Sequence, residues 1–176
     1  MISSEAFRKI KAVVLDVDGV LTDGRAGYGA EEEIKFFHLR DGHWMRMALR
    51  TGLKVGILSG RGSRANRRRA EELGLSFCYE NCKDKLEGFE RLLAEHSLRA
   101  EECLYIGDDV IDMPVMRRAG VAVAVADGVP ELDEVADFRT RTPGGHGAVC
   151  EVMRRLMMEQ GTLDAQLERY RRWYDK

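Results

Sequence analysis

Short apolar runs alternate with amphipathic stretches through most of this chain. Lys11-Ala12-Val13-Val14-Leu15, Lys54-Val55-Gly56-Ile57-Leu58, Ser76-Phe77-Cys78-Tyr79, Cys103-Leu104-Tyr105-Ile106 and Val121-Ala122-Val123-Ala124 lack strict polar alternation. Continuous runs of this kind predict strands covered on both faces. Between them, His43 to Arg50, Ser63 to Leu73, Asp84 to His96 and Asp112 to Ala119 space their apolar residues three and four apart, which predicts helices. Gly74 and Gly120 stand where a helix would end and the next strand begin. Repeated units of this kind predict a doubly wound, mainly parallel α/β sheet.

The stretch from Leu21 to Leu39 breaks the pattern. Gly24, Gly27 and Gly29 punctuate it before Ile34-Lys35-Phe36-Phe37-His38. This predicts a β-hairpin insertion over about residues 20–39, with Glu31-Glu32-Glu33 as a solvated turn. No linker or repeat divides residues 1–161, so one domain is expected there. Residues 162–176 form a charged tail with Leu163, Leu167, Tyr170 and Trp173 at helical spacing. That tail either packs on its own domain or reaches a neighbouring subunit.

A length of 176 residues suits one domain, and 44% hydrophobic with 33% charged residues excludes disorder. A net charge of -2 supplies no global positive field, so neither nucleic acid nor a membrane surface is expected as a partner. No apolar run approaches the ~20 residues that cross a bilayer. The stretch from Met1 to Lys11 lacks signal-peptide features. Together with four scattered cysteines read as reduced thiols, this predicts a cytoplasmic protein.

The chemistry falls where strands end. In open α/β sheets ligands bind beyond the carboxyl ends of the strands. The first run ends Asp16-Val17-Asp18-Gly19, the second Ser59-Gly60-Arg61, and the fourth Gly107-Asp108-Asp109. Converging carboxylates repel one another unless a cation neutralises them, and oxygen ligands suit Mg2+. Asp16 and Asp108 are the candidate ligands. A carboxylate beside magnesium can attack phosphorus, and an acid two residues on, Asp18, can protonate the leaving oxygen. Ser59 can donate a hydroxyl hydrogen bond to the phosphoryl oxygens and Lys85 can supply the positive charge, although Lys83 is a rival, and Asp112 is placed to hold that lysine. Gly19 and Gly60 let backbone N–H groups approach a phosphate. Asp109 is either a supporting residue of the metal site or a helix cap. Arg61 and Arg40 are candidates to grip a substrate carboxylate, and His146 either reaches the site or caps a helix. Arg64, Arg67, Arg68 and Arg69 read as a solvated helix face.

Asp16-Val17-Asp18-Gly19-Val20-Leu21-Thr22-Asp23-Gly24, Leu58-Ser59-Gly60-Arg61, Lys85 and Gly107-Asp108-Asp109-Val110-Ile111-Asp112 resemble, in order, the four motifs of haloacid dehalogenase-type phosphatases. Arg40-Asp41-Gly42, Asp112-Met113-Pro114-Val115-Met116, Val123-Ala124-Val125-Ala126-Asp127 and Gly144-Gly145-His146-Gly147-Ala148-Val149 narrow the resemblance to the cap-less 3-deoxy-D-manno-octulosonate 8-phosphate phosphatases. The resemblance runs from about Ile10 to Gly161. It implies Asp16 as nucleophile and Asp18 as acid/base. It also implies magnesium held by the Asp16 side chain, the Asp18 carbonyl and Asp108. It implies a homotetramer in which the hairpin completes adjacent active sites, and hairpin and tail select a sugar-acid phosphate in place of a cap domain.

One position departs from the family pattern: Trp44 stands where relatives usually carry glycine, so it either narrows the pocket or packs into an interface. A nonulosonate 9-phosphate is the alternative substrate. A signalling receiver domain would need an Asp after the third strand, where Glu80 stands instead. A non-catalytic module related to nucleotide-sugar synthetases would not require the intact Asp16, Asp18, Ser59 and Lys85.

Overall fold

The computed structural model describes residues 4–30 and 32–172. Six parallel strands form the central sheet: β1 (Ala12–Leu15), β4 (Lys54–Leu58), β5 (Phe77–Tyr79), β6 (Cys103–Gly107), β7 (Val121–Ala124) and β8 (Phe138–Arg139). Their order is β5-β4-β1-β6-β7-β8, so β1 is flanked by β4 and β6. The helices are α1 (Ser4–Lys9), α2 (Leu39–Leu49), α3 (Arg64–Leu73), α4 (Lys85–His96), α5 (Met113–Arg118), α6 (Ala148–Glu159) and α7 (Leu163–Arg171).

Successive strand residues serve opposite cores, which explains the unbroken apolar runs. Val13, Leu15, Val55, Ile57, Leu104 and Ile106 pack with Phe7, Met45, Val152 and Leu156. Ala12, Val14, Leu58, Tyr79 and Tyr105 face the other way, onto Phe89, Leu92, Val115 and Met116. The five expected strands all form. β8 is a sixth that the pattern did not reveal, because its two residues precede a run of arginines and threonines. Arg139 within it donates to the carbonyls of Val125, Gly128 and Val129, at 2.8 to 3.1 Å, and so fastens the loop after β7.

The hairpin exists but is minimal. β2 (Gly27–Tyr28) and β3 (Glu33–Ile34) pair antiparallel outside the main sheet. α2 begins at Leu39, four residues before the expected start, so Arg40-Asp41-Gly42 form its first turn. Asp41 in that turn is buried and accepts a 2.7 Å hydrogen bond from the Cys150 N–H at the start of α6. One carboxylate thus caps a helix more than a hundred residues away. Trp44 is half-buried against the core of its own chain. Arg69 departs from the solvated face expected for α3. Its guanidinium lies over the Phe37 ring and against Gly42, where a Cβ would meet Arg69 Nη2 at 2.2 Å. In the tail, α7 buries Leu163 and Gln166, while Leu167 and Tyr170 pack partly on the core. Trp173 lies outside the described residues.

Asp41→Ala should therefore lower stability by about 1–3 kcal/mol, since it uncaps α6 and unties it from α2. Urea unfolding followed by circular dichroism measures this. A midpoint equal to that of the parent chain would show that the cap carries no stability.

Candidate active site

The site grows from the carboxyl ends of β1, β4 and β6. Asp16 directly follows β1, and its N–H still bonds the Ile106 carbonyl at 3.1 Å, so the ladder fixes its backbone. Ser59 follows β4 in the same way, donating to the Tyr79 carbonyl at 2.9 Å. Asp108 follows β6. Gly19 stands opposite Asp108 at φ +89, where a Cβ would fall 2.0 Å from Asp108 Oδ2. Only glycine permits both that backbone and that approach.

Lys85, the first residue of α4, crosses beneath the cluster. Its Nζ lies 2.8 Å from Asp16 Oδ2 and 2.6 Å from Asp112 Oδ1, and its side chain is 1% exposed. Lys83 does not line the pocket, so the rivalry between the two lysines resolves toward Lys85. Asp112 is fully buried and every lone-pair direction has a donor. Oδ1 accepts from Lys85 and from the Tyr105 hydroxyl at 2.6 Å, and Oδ2 accepts from the N–H groups of Asp108 and Asp109 at 3.0 and 3.2 Å. Asp112 therefore orients its neighbours rather than offering a free oxygen. Tyr105 was invisible as a site residue because it sits inside an apolar strand run. Asp109 caps the short helical turn at Val110–Asp112 through a 2.7 Å bond from the Val110 N–H.

Oxygens of Asp16, Asp108 and Asp112 come within 4.8 Å of one another. Desolvation raises the pKa of Asp16, against the pull of Lys85. Desolvation also raises Asp108, reinforced by the charges of Asp16 and Asp112. Burial alone would push the Lys85 ammonium down, but Asp16 and Asp112 reverse this and hold it above the usual lysine range. Asp108 Oδ1 is buried without a hydrogen-bond partner among the described residues. An orphaned oxygen beside a second buried carboxylate is the donor set a hard divalent cation satisfies, so these residues fit magnesium.

Asp16, Asp18, Gly24, Ser59, Gly60, Arg61, Lys85, Asp108, Asp109 and Ile111 enclose a pocket of about 210 Å³. That accommodates a phosphoryl group together with a cation. A bigger cleft of about 830 Å³ lies between the hairpin and α3, lined by Glu33, Lys35, Phe37, Arg64 and Arg68 among others. It lacks Asp16, Asp108 and Lys85, so the chemistry belongs to the smaller pocket. Arg61 lines the pocket rim but its Nη2 is held by Glu33 Oε1 at 2.7 Å. Arg40 is exposed in the first turn of α2 and does not line the pocket. His146 is exposed as well, with Nδ1 2.8 Å from the Gly144 carbonyl, and makes no side-chain cap to α6. Its glycine neighbours matter more: a Cβ on Gly144 would lie 1.7 Å from the Gly19 carbonyl. Asp18 meets a partner that the motif did not reveal, Lys35 of the hairpin, at 2.6 Å.

Residues 79–153 match the family described as haloacid dehalogenase-like hydrolase. Over 156 residues the chain is 44% identical to the 3-deoxy-D-manno-octulosonate 8-phosphate phosphatase of Escherichia coli K12, covering 88% of this chain and 83% of that one. A crystal structure of the Moraxella catarrhalis phosphatase of that name, in complex with magnesium, phosphate and KDO, superposes with a TM-score of 0.92. It is 34% identical, over 95% of this chain and 97% of the other. The Yersinia pestis counterpart superposes with a TM-score of 0.88 at 39% identity, over 92% and 88% of the two chains.

The raised carboxyls set a pH dependence. Their protonated forms favour the metal-free fold at low pH, and that contribution is lost as pH rises through their raised values. Magnesium binds the ionised forms. The magnesium-induced rise in melting temperature should thus be larger at ~pH 8 than at ~pH 5. Asp108→Asn should abolish most of it. Differential scanning fluorimetry reads both, and an increment that shrinks with rising pH would remove these carboxylates from the metal site.

Proposed function

This chain belongs to the haloacid dehalogenase-like hydrolases, in the branch of the 3-deoxy-D-manno-octulosonate 8-phosphate phosphatases, and on that premise we propose that it hydrolyses that sugar-acid phosphate through a phospho-enzyme on Asp16. The observation that carries the reading is the arrangement around Asp16. It is a buried strand-end carboxylate, bonded to a buried lysine, beside Asp108, in a pocket of about 210 Å³.

One Asp16 oxygen attacks phosphorus while the ester P–O bond opposite it breaks. Asp18 gives its proton to the departing sugar oxygen. Now a carboxylate, Asp18 takes a proton from water as that water attacks the aspartyl-phosphate, which releases phosphate and restores Asp16. Lys85 and Ser59, with backbone N–H groups around Gly60, stabilise charge on the phosphoryl oxygens. The Asp16 carboxylate, the Asp18 carbonyl and Asp108 would hold magnesium, which when bound neutralises the crowded carboxylates and the phosphate. Asp112 and Tyr105 keep Lys85 aimed at the site. Arg61 stands at the rim where the carboxylate of a sugar acid would lie, once Glu33 yields it.

The working form is a homotetramer with intersubunit sites. Tyr28, Phe36 and Leu39, in and just after the hairpin, are 83%, 80% and 79% exposed, and a neighbouring subunit would cover such a patch. Residence is cytoplasmic, which accords with the unpaired state of all four cysteines. No helix among the described residues is long and apolar enough to cross a membrane.

Phosphate release from a panel of sugar phosphates, with and without magnesium, tests the substrate. The octulosonate 8-phosphate should be preferred over a nonulosonate 9-phosphate; the opposite order would move the chain to the sister substrate, and no turnover would favour a non-catalytic module. Asp16→Asn should lower kcat at least ~10⁴-fold while leaving the circular dichroism spectrum intact. Light scattering should give four copies, and Phe36→Glu should shift the particle toward smaller species.

A further inference from the structure

Lys35 is the feature that the reading above leaves unexplained. It belongs to the hairpin, yet its side chain is only 1% exposed. A buried ammonium needs counter-charge, and two carboxylates supply it: Asp18 Oδ1 at 2.6 Å and Glu33 Oε2 at 3.8 Å. The other Glu33 oxygen binds Arg61 at 2.7 Å. Asp18, Lys35, Glu33 and Arg61 thus form a run of alternating charge from the residue beside the nucleophile to the arginine after β4.

We infer that Lys35 is a positioning residue for the reaction: the hairpin of this same chain holds the Asp18 carboxyl in the orientation that delivers its proton to the leaving oxygen. The inference rests on the phosphatase reading and deepens it. The backbone of Asp18 is set by the tight turn after β1, where the N–H groups of Leu21 and Thr22 bond the Val17 carbonyl. The side chain still has its own rotamers, and the pair with Lys35 selects among them. Lys35 takes Oδ1, which leaves Oδ2 to face the departing oxygen. In the phosphorylation step the Asp16 oxygen–phosphorus bond forms and the ester P–O bond breaks. The bonding pair and the Asp18 proton go to the departing alcohol. A misdirected Asp18 slows that departure when the alcohol is a poor leaving group and has little influence when the leaving group is stable as an anion.

The test is the leaving-group dependence of kcat/KM, which reports the steps through phosphoryl transfer to the enzyme. Lys35→Met should lower kcat/KM for the sugar phosphate by about 10- to 100-fold. That loss should exceed the loss on p-nitrophenyl phosphate by at least ~10-fold, and Lys35→Arg should recover part of it. In an Asp18→Asn background, Lys35→Met should add no further loss on the sugar phosphate, because the two residues act as one unit. Equal losses on both esters, or additive losses in the double variant, would overturn the inference and leave Lys35 a structural support of the hairpin. Should Lys35→Met fail to fold, Lys35→Gln carries the same comparison. A parent chain that hydrolyses neither ester with magnesium overturns the phosphatase reading, and this inference with it.

Discussion

The buried ammonium of Lys85 is the interaction on which the rest of the site depends. The ends of β1 and β6, with the helical turn that follows β6, bring Asp16, Asp108 and Asp112 within 4.8 Å of one another, an arrangement that self-repulsion and desolvation would scatter. Lys85 binds two of the three at once, at 2.8 and 2.6 Å. Its own burial is tolerable because Asp112 is fully satisfied by Lys85, Tyr105 and two backbone N–H groups, so this half of the network leaves no polar group wanting. The unsatisfied remainder concentrates on Asp108 Oδ1, where a cation would serve. Positive charge would thus be shared between a permanent lysine and a cation held by Asp16 and Asp108.

Close approach of backbone to side chain does the rest. Gly19 lies against Asp108, and Gly144 lies against the Gly19 carbonyl. Gly145 donates to the Val20 carbonyl at 2.9 Å, and Asp41 ties the start of the following helix to α2. The loop before α6 therefore buttresses the nucleophile turn from outside, and Asp41 bears on the site through that helix cap.

Much of this was readable from the chain. The five long strands and the strand-end positions of Asp16, Ser59 and Asp108 followed from continuous apolar runs that each stop at a polar residue. So did the pairing of Lys85 with Asp112, once both were set at one rim. What escaped was of two kinds. β8 is too short and too polar to show a period. Tyr105, Lys35 and Asp41 act through contacts across the fold, and each hides in a local context that suggests something else: a strand interior, a charged hairpin, a turn before a helix. Arg69 was misread for the same reason, since nothing in a run of arginines tells which one meets Gly42 and Phe37.

The hairpin shows how position decides the worth of a charge. Among the described residues, three ion pairs tie it to the domain. Arg64 with Glu32 is exposed on both sides at 3.5 Å and contributes little in water. Arg61 with Glu33 is half-exposed on the arginine side, so a substrate carboxylate could compete for the guanidinium. Lys35 with Asp18 is shielded on the lysine side and escapes most screening by salt. The gradient runs from the outer turn toward the nucleophile, weakest where the hairpin meets solvent and strongest where it meets the acid. An element held this way can adjust at its tip to a substrate or a neighbouring subunit while its base stays registered to the chemistry. The element that carries this gradient is only two strands of two residues each.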